Sequence, residues 1–302
     1  MAETKEFDVI IIGGSYAGLS AAMALGRSLR SVLVLDSGQP CNQQTPHSHN
    51  FLTQDGETPA AIAQKAREQV LAYPTVILEV GKAVRVAGQN QAFEVSTEAG
   101  ITFKGSKLLF TTGVKDHMPE MEGFAACWGI SVLHCPYCHG YEVRQQELGI
   151  WANGDMAFEL AKLISNWSSN ITVLTNGNHT LTDEQVLVLQ QHQVPVEERE
   201  IAKLRHAQGY LQNVLFTDGS TLPLKAIYAR PAFSQHCPLP QELGCELTQA
   251  GHLKVDMLQK TTVPGIYAAG DATMMMRSVS MATAAGTMAG AAINKELIEE
   301  RF

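Results

Sequence analysis

Apolar positions along this chain change period several times, and each change marks an element. Residues 7–12 form a continuous apolar run of the kind expected for a buried strand. Small residues on a helical period follow over 16–28, and 32–35 is a second apolar strand, so the N-terminal segment predicts a βαβ unit. Thr58-Pro59 supplies an N-cap and a first-turn proline for a helix reaching about Tyr73. Between 75 and 110, short strands separated by Gly81, Gly88 and Gly100 predict a small β-meander that returns to the main sheet. A second βαβ pattern begins near Glu147, with a strand over 148–152, a helix over 155–165 and a strand over 171–174. Thr182 is the expected N-cap of a short helix, followed by three strand-like runs ending at 224–229 and a Pro-rich crossing over 231–240. A strand and glycine turn over 261–271 then lead into a long C-terminal helix.

These elements predict an α/β fold of two Rossmann-like dinucleotide-binding domains, each a three-layer ββα arrangement, with the second inserted into the first. The expected division is 1–115 with 246–302 for the outer domain and 116–245 for the inserted one.

Composition narrows the function classes. With 302 residues and 45% hydrophobic content, both domains have enough apolar surface for a core. The 30 acidic residues outnumber the 22 basic ones, which argues against a nucleic-acid partner. No charged n-region and apolar h-region precede the first strand, so a cytoplasmic location is expected. The Ala/Met/Gly-rich run over 280–293 is interrupted by Thr283 and Gly286 and is too short to span a bilayer; it reads as a buried helix. Of the six cysteines, only Cys135 and Cys138 form a close pair, and Cys41, Cys127, Cys237 and Cys245 read as small buried hydrophobes.

Gly13-Gly14-Ser15-Tyr16-Ala17-Gly18 lies between a predicted strand and helix, where small residues let a backbone approach a pyrophosphate at a helix N-terminus. Asp36 ends the next strand, in place to bind a ribose hydroxyl. Residues 261–271, ending Ala268-Ala269-Gly270-Asp271, resemble the second FAD motif of the two-dinucleotide flavoprotein superfamily, and Thr111-Thr112-Gly113 resembles its short Ala-Thr-Gly segment. The resemblance implies noncovalent FAD, with Asp271 holding the ribityl chain.

His134-Cys135-Pro136-Tyr137-Cys138-His139-Gly140 carries the distinctive chemistry. Cysteines at this spacing can close a small disulfide ring and exchange it with an external thiol. The same residues admit a covalent haem attachment, a contribution to a zinc site, or a turn with inert thiols; no second Cys/His cluster completes a zinc site, and no metal is expected. With motifs matching at both ends and in the middle, the chain resembles the low-molecular-weight thioredoxin reductase family. That resemblance implies that Cys138 faces the flavin and Cys135 exchanges with substrate. His139 stands where typical members have the aspartate that acts as acid/base, and histidine suits that role near neutral pH. The Cys-Pro-x-Cys-His pattern is similar to relatives that include small-molecule dithiol oxidases returning electrons to oxygen. The resemblance also implies cofactor contacts from Ser15, Tyr16 and Ala17, from Asn42 and Asn50, and from Val84. Further contacts are implied from Thr112 and Gly113, and from Arg277, Ser278 and Val279. It also implies a homodimer.

The second nucleotide motif departs from the family pattern. Its turn reads Ala152-Asn153-Gly154-Asp155-Met156-Ala157, and the basic segment that grips the NADPH 2′-phosphate is replaced by Thr175-Asn176-Gly177. A third family element, a Gly-x-x-Pro turn, is reduced to Ala229-Arg230-Pro231-Ala232. Weak NADPH binding is therefore expected, with reduced ferredoxin as an alternative electron donor. A thioredoxin-like protein or a small dithiol or disulfide is the expected partner. A redox-sensing FAD-binding protein without turnover is the reading from a different class.

Overall fold

The computed structural model describes residues 6–302. In chain order its elements begin β1 (Glu6–Ile12), α1 (Tyr16–Arg27), β2 (Val32–Asp36), α2 (Pro59–Leu71), β3 (Val76–Val80), β4 (Ala83–Gln89), β5 (Ala92–Thr97) and β6 (Thr102–Phe110). There follow β7 (Val114–Asp116), α3 (Phe124–Cys127), β8 (Val132–Leu133), α4 (Pro136–His139), β9 (Leu148–Trp151), α5 (Gly154–Ile164), β10 (Ile171–Leu174) and α6 (Asp183–Gln191). The remainder are β11 (Val196–Glu197), β12 (Ile201–Ala207), β13 (Tyr210–Phe216), β14 (Thr221–Pro223), β15 (Ala226–Ala229), β16 (Phe233–Gln235), α7 (Leu239–Glu242), β17 (Ile266–Ala268) and α8 (Val279–Arg301).

The chain divides into two compact units: residues 1–43, 50–115 and 233–302, and residues 44–49 with 116–232. Two boundaries differ from the sequence expectation. Residues 233–245, expected in the inserted domain, belong to the first unit, because Leu239 and Cys245 bury against Ile10, Leu33 and Phe93 in its core. Residues 44–49 belong to the second unit, although the chain on either side belongs to the first.

In the first unit, the sheet runs β3-β2-β1-β6-β5-β4, and β17 also pairs with β6. β6 is long enough to serve two partners along one edge. Its first half pairs antiparallel with β5, from Ser96↔Thr102 to Phe93↔Gly105, and its second half pairs parallel with β17, from Ile266↔Leu108 to Ala268↔Phe110. β3, expected in the meander, instead extends the parallel sheet beside β2. One face of that sheet carries α1 and α8, which pack with Val9, Ile11 and Val34; the other carries Ile10, Ile12, Leu33 and Leu35 into the layer built on the meander. Close crossing of α8 over α1 requires Gly286, where an added Cβ would lie 2.0 Å from the Ala17 carbonyl oxygen. The far end of α8 is fastened by Lys107, whose fully buried ammonium donates to Glu296 (2.5 Å), Glu300 (2.6 Å) and Asn90 (2.7 Å).

The second unit has the parallel order β11-β10-β9-β15-β8, with α5 packed through Ala157, Leu160, Ala161 and Ile164. Beyond α6, whose Thr182 and Gln185 form a reciprocal capping box, five strands replace the three expected. Three of them, β12, β13 and β14, form a separate antiparallel sheet. Tight turns at Gln208-Gly209 and Asp218-Gly219 separate these three strands. Among the described residues no helix is long and apolar enough to cross a membrane.

Candidate functional site

The first unit presents an open helix N-terminus. Ser15 is the N-cap of α1 but places no side-chain oxygen on the first-turn N–H groups, and that turn holds no acidic residue. The positive end of the helix is thus left for an external anion. Gly18 is required by contact, since a Cβ there would lie 1.9 Å from the Gly13 carbonyl oxygen. Thr111 Oγ1 donates to Gly13 O (2.6 Å) and holds the turn against the end of β6, while the neighbouring Thr112 Oγ1 is buried with no hydrogen-bond partner. A buried hydroxyl without a partner beside a small-residue turn fits a polar ligand. Asp36 ends β2 as expected, and one of its oxygens accepts from Arg67 (3.0 Å).

The other cofactor candidates belong to the same unit. Tyr16 OH donates to Pro59 O (3.3 Å) and accepts from Asn42 Nδ2 (3.5 Å), and burial raises the Tyr16 pKa. Asn50 has φ +58°, and its carbonyl accepts from Ser280 Oγ (3.4 Å) in the first turn of α8. Ser278 caps α8 by accepting from Met281 N (3.2 Å), with Val279 first in the helix and Arg277 stacked over Phe233 at 5.1 Å. Gly270 and Asp271 form a 3-10 turn directly after β17, and Gly113, at φ +65°, follows β6. Val84 is the bulged residue of β4, skipped between the Ala83↔Thr97 and Arg85↔Ser96 pairs.

In the second unit, Cys135 and Cys138 form a disulfide with Cα atoms 5.3 Å apart. Cys135 is the N-cap of α4, its sulfur accepts from Cys138 N (3.1 Å), and Pro136 occupies the first helical position. His139 N donates to Cys135 O (3.2 Å), so one helical turn holds both cysteines and the histidine. Tyr137, exposed at 59%, packs edge-on against Trp167 at 5.5 Å between ring centroids. Burial lowers the His139 pKa, His49 lowers it further, and the Glu142 carboxylate opposes both. The imidazole is therefore biased toward its neutral, proton-accepting form.

His49 and Glu142 were not singled out in the sequence. Residues 44–49 reach the second unit because Gln44 Nε2 donates to the carbonyls of Ala125 (3.4 Å) and Trp128. His49 then stands edge-on to His139, with ring centroids 6.4 Å apart, and its Nε2 is 3.6 Å from Glu142 Oε1. The available sequence signals were the His47-Ser48-His49 pair and Glu142 at i+3 from His139.

The remaining cysteines lie elsewhere. Cys127 and Cys245 are buried and Cys237 is partly buried, and burial raises all three thiol pKa values. Cys41 is exposed, contrary to expectation, because it sits in the turn after β2 rather than in a core.

The N-terminus of α5 contrasts with that of α1, because it is filled from within. Asn153 Oδ1 accepts from Gly154 N (2.8 Å), Thr180 N (2.8 Å) and Thr180 Oγ1 (3.2 Å), and Asp155 adds a carboxylate in the first turn. Past β10, Thr175 Oγ1 donates to Gly177 O (2.6 Å), and Glu198 accepts from His179 N (2.9 Å). These residues do not fit a phosphate ligand, since acceptors and carboxylates stand where donors are needed.

A flavin-type fold that also bears a CxxC disulfide defines a class, the FAD-dependent disulfide oxidoreductases. The chain belongs to the pyridine nucleotide-disulphide oxidoreductase family, whose profile matches residues 7–289. It is similar to thioredoxin reductase tcpT of Claviceps purpurea, 33% identical over 99% of this chain and 97% of that protein. It is also similar to thioredoxin reductase sirT of Leptosphaeria maculans, 32% identical over 95% of this chain and 93% of that one. Among solved structures it resembles an oxidoreductase from Agrobacterium tumefaciens, 36% identical with a TM-score of 0.91 over 97% of this chain and 99% of that one.

Proposed function

We propose that this chain is a thioredoxin reductase-like enzyme moving electron pairs between FAD, the Cys135/Cys138 pair and an external disulfide or dithiol, with His139 as acid/base. The carrying observation is the disulfide on α4 with His139 in the same turn. Bound FAD supplies a two-electron acceptor. Its pyrophosphate would lie at the Gly13–Gly18 turn, with Asp36, Thr112 and Asp271 as further holding groups. The chain's own chemistry is thiol–disulfide exchange. In the dithiol direction a substrate thiol loses its proton to His139, and its sulfur attacks Cys135 Sγ. The Cys135–Cys138 bond breaks, and its electron pair stays on Cys138. A second substrate thiolate then releases Cys135. The names of the relatives support a thioredoxin-like protein as partner.

A second reading, oxidation of a small dithiol with oxygen as final acceptor, is favoured by the self-filled α5 N-terminus, which leaves little to hold NADPH. The Cys-Pro-x-Cys-His pattern supports it as well. The test is anaerobic flavin reduction by NADPH, NADH, reduced ferredoxin and small dithiols side by side, with turnover compared against the Cys135→Ser/Cys138→Ser double variant. Reduction by dithiols that the double variant lacks is the expected result. Equal rates in the two proteins would remove the exchange mechanism, and no turnover with any donor would leave a sensor.

A further inference from the structure

A thiol must lose its proton before it attacks a disulfide, and a half-buried base in the turn of the two cysteines needs somewhere to send that proton. His139 shares its turn with both cysteines, and the charged groups that bear on it are His49 and Glu142. His49 comes from a different stretch of chain, residues 44–49, which packs with this unit through Gln44. Its ring meets His139 edge-on at 6.4 Å between centroids, within reach of transfer through one bridging water. Its Nε2 is 3.6 Å from Glu142 Oε1, and exposure rises outward from 21% for the His49 side chain to 39% for Glu142. The exposed His47 lies 6.4 Å from His49 between ring centroids, and the buried Tyr228 is a further titratable group influenced by Glu142.

We propose that His49 is the second proton carrier of the disulfide site, exchanging with His139 the proton displaced at Cys135–Cys138 and held toward solvent by the Glu142 carboxylate. His49 is thus a positioning residue that acts through His139. The step is balanced. A substrate thiol gives its proton to His139, the new sulfur–sulfur bond replaces Cys135–Cys138, and the electron pair of the broken bond stays on Cys138. The proton passes to His49 and out, and the reverse sequence returns it. Burial disfavours an imidazolium at His139, and His49 with the more exposed Glu142 carboxylate 3.6 Å from its Nε2 lies between that ring and solvent, so a proton leaving His139 has a route outward.

The inference rests on the reading of His139 as the base of the exchange pair, and the experiment separates the two. Oxidised holoenzyme is mixed anaerobically with dithiothreitol in a stopped-flow instrument across pH 5 to 9, for wild type, His139→Ala, His49→Gln and Glu142→Gln. His49→Gln should slow reduction by about tenfold or more, within the range for an acid/base group, and added imidazole should restore part of the rate. His49 holds the His139 pKa down and Glu142 holds it up. The acid limb should therefore move to higher pH in His49→Gln and to lower pH in Glu142→Gln, which a packing defect would not produce. Wild-type rates in both variants with a slow His139→Ala would overturn the relay and leave His139 as base. A wild-type rate in His139→Ala would remove the base reading itself. If His49→Gln does not retain FAD, Glu142→Gln decides, and an unmoved acid limb there overturns the relay.

Discussion

Poor use of NADPH is the prediction with the most structure behind it. For a pyrophosphate to reach the α5 N-terminus, Asn153 must give up its three accepted hydrogen bonds, from Gly154 N, Thr180 N and Thr180 Oγ1. At about 1 kcal/mol net each, that costs about 3 kcal/mol. An arginine pair to the 2′-phosphate, absent from Thr175-Asn176-Gly177, would have contributed a further 1.5–3 kcal/mol or so. The combined penalty is about 5 kcal/mol, or between about 10³- and 10⁴-fold in affinity. Asp155 adds repulsion in the same direction. Anaerobic stopped-flow reduction with increasing NADPH should therefore stay slow and fail to saturate below millimolar concentrations. Asn153→Gly combined with Asp155→Asn removes the competing acceptor and the charge. It should tighten NADPH by about tenfold to a hundredfold, and a glycine cap costs the helix only a few tenths of a kcal/mol. Saturation of the wild-type protein at micromolar NADPH would refute the reasoning, and so would a double variant that binds no better.

Asp271→Ala should lower FAD affinity by about 1.5–3 kcal/mol, the value of a charge-assisted hydrogen bond, with far-UV circular dichroism unchanged; retention of FAD through extensive dialysis would contradict it. Cys135→Ser should leave a Cys138 thiolate that gives a long-wavelength charge-transfer absorbance, and Cys138→Ser should not; the opposite pattern would exchange the roles of the two sulfurs. Burial raises the Glu296 carboxyl, but Lys107, Lys260 and Tyr267 outweigh it and bring the pKa to about 2, below the usual 4.5. A depressed folded pKa stabilises above the unfolded value, so about 3 kcal/mol should be lost as pH falls from about 4.5 to about 2. Urea unfolding across that window checks it, and a flat profile would contradict it. Lys107→Met removes the buried cation shared by Glu296 and Glu300, leaving Glu296 with Lys260 and Tyr267, and should cost about 1.5–3 kcal/mol in the same assay at pH 7.

Local signals were sufficient for much of this protein. Strands buried on both faces, such as β1 and β2, are continuous apolar runs whatever surrounds them, and caps such as Thr58-Pro59 and Thr182 with Gln185 act within one turn of helix. The glycine turn before α1 and the CxxC pair were legible for the same reason, since each works through neighbours in the chain. The altered second turn was visible as substitutions, yet the sequence showed only missing donors. That Asn153 fills the vacated helix end depends on Thr180, 27 residues away. The placement of 233–245 was hidden because Leu239 and Cys245 are apolar in either unit, and burial against Ile10 and Leu33 decides which one they join. His49 left only a weak signal in the sequence, the His47-Ser48-His49 pair, since only the folded chain brings residues 44–49 beside His139. Periodicity and capping are properties of a few adjacent residues, whereas a contact between side chains 90 residues apart, such as His49 and His139, exists only when tertiary packing brings them together.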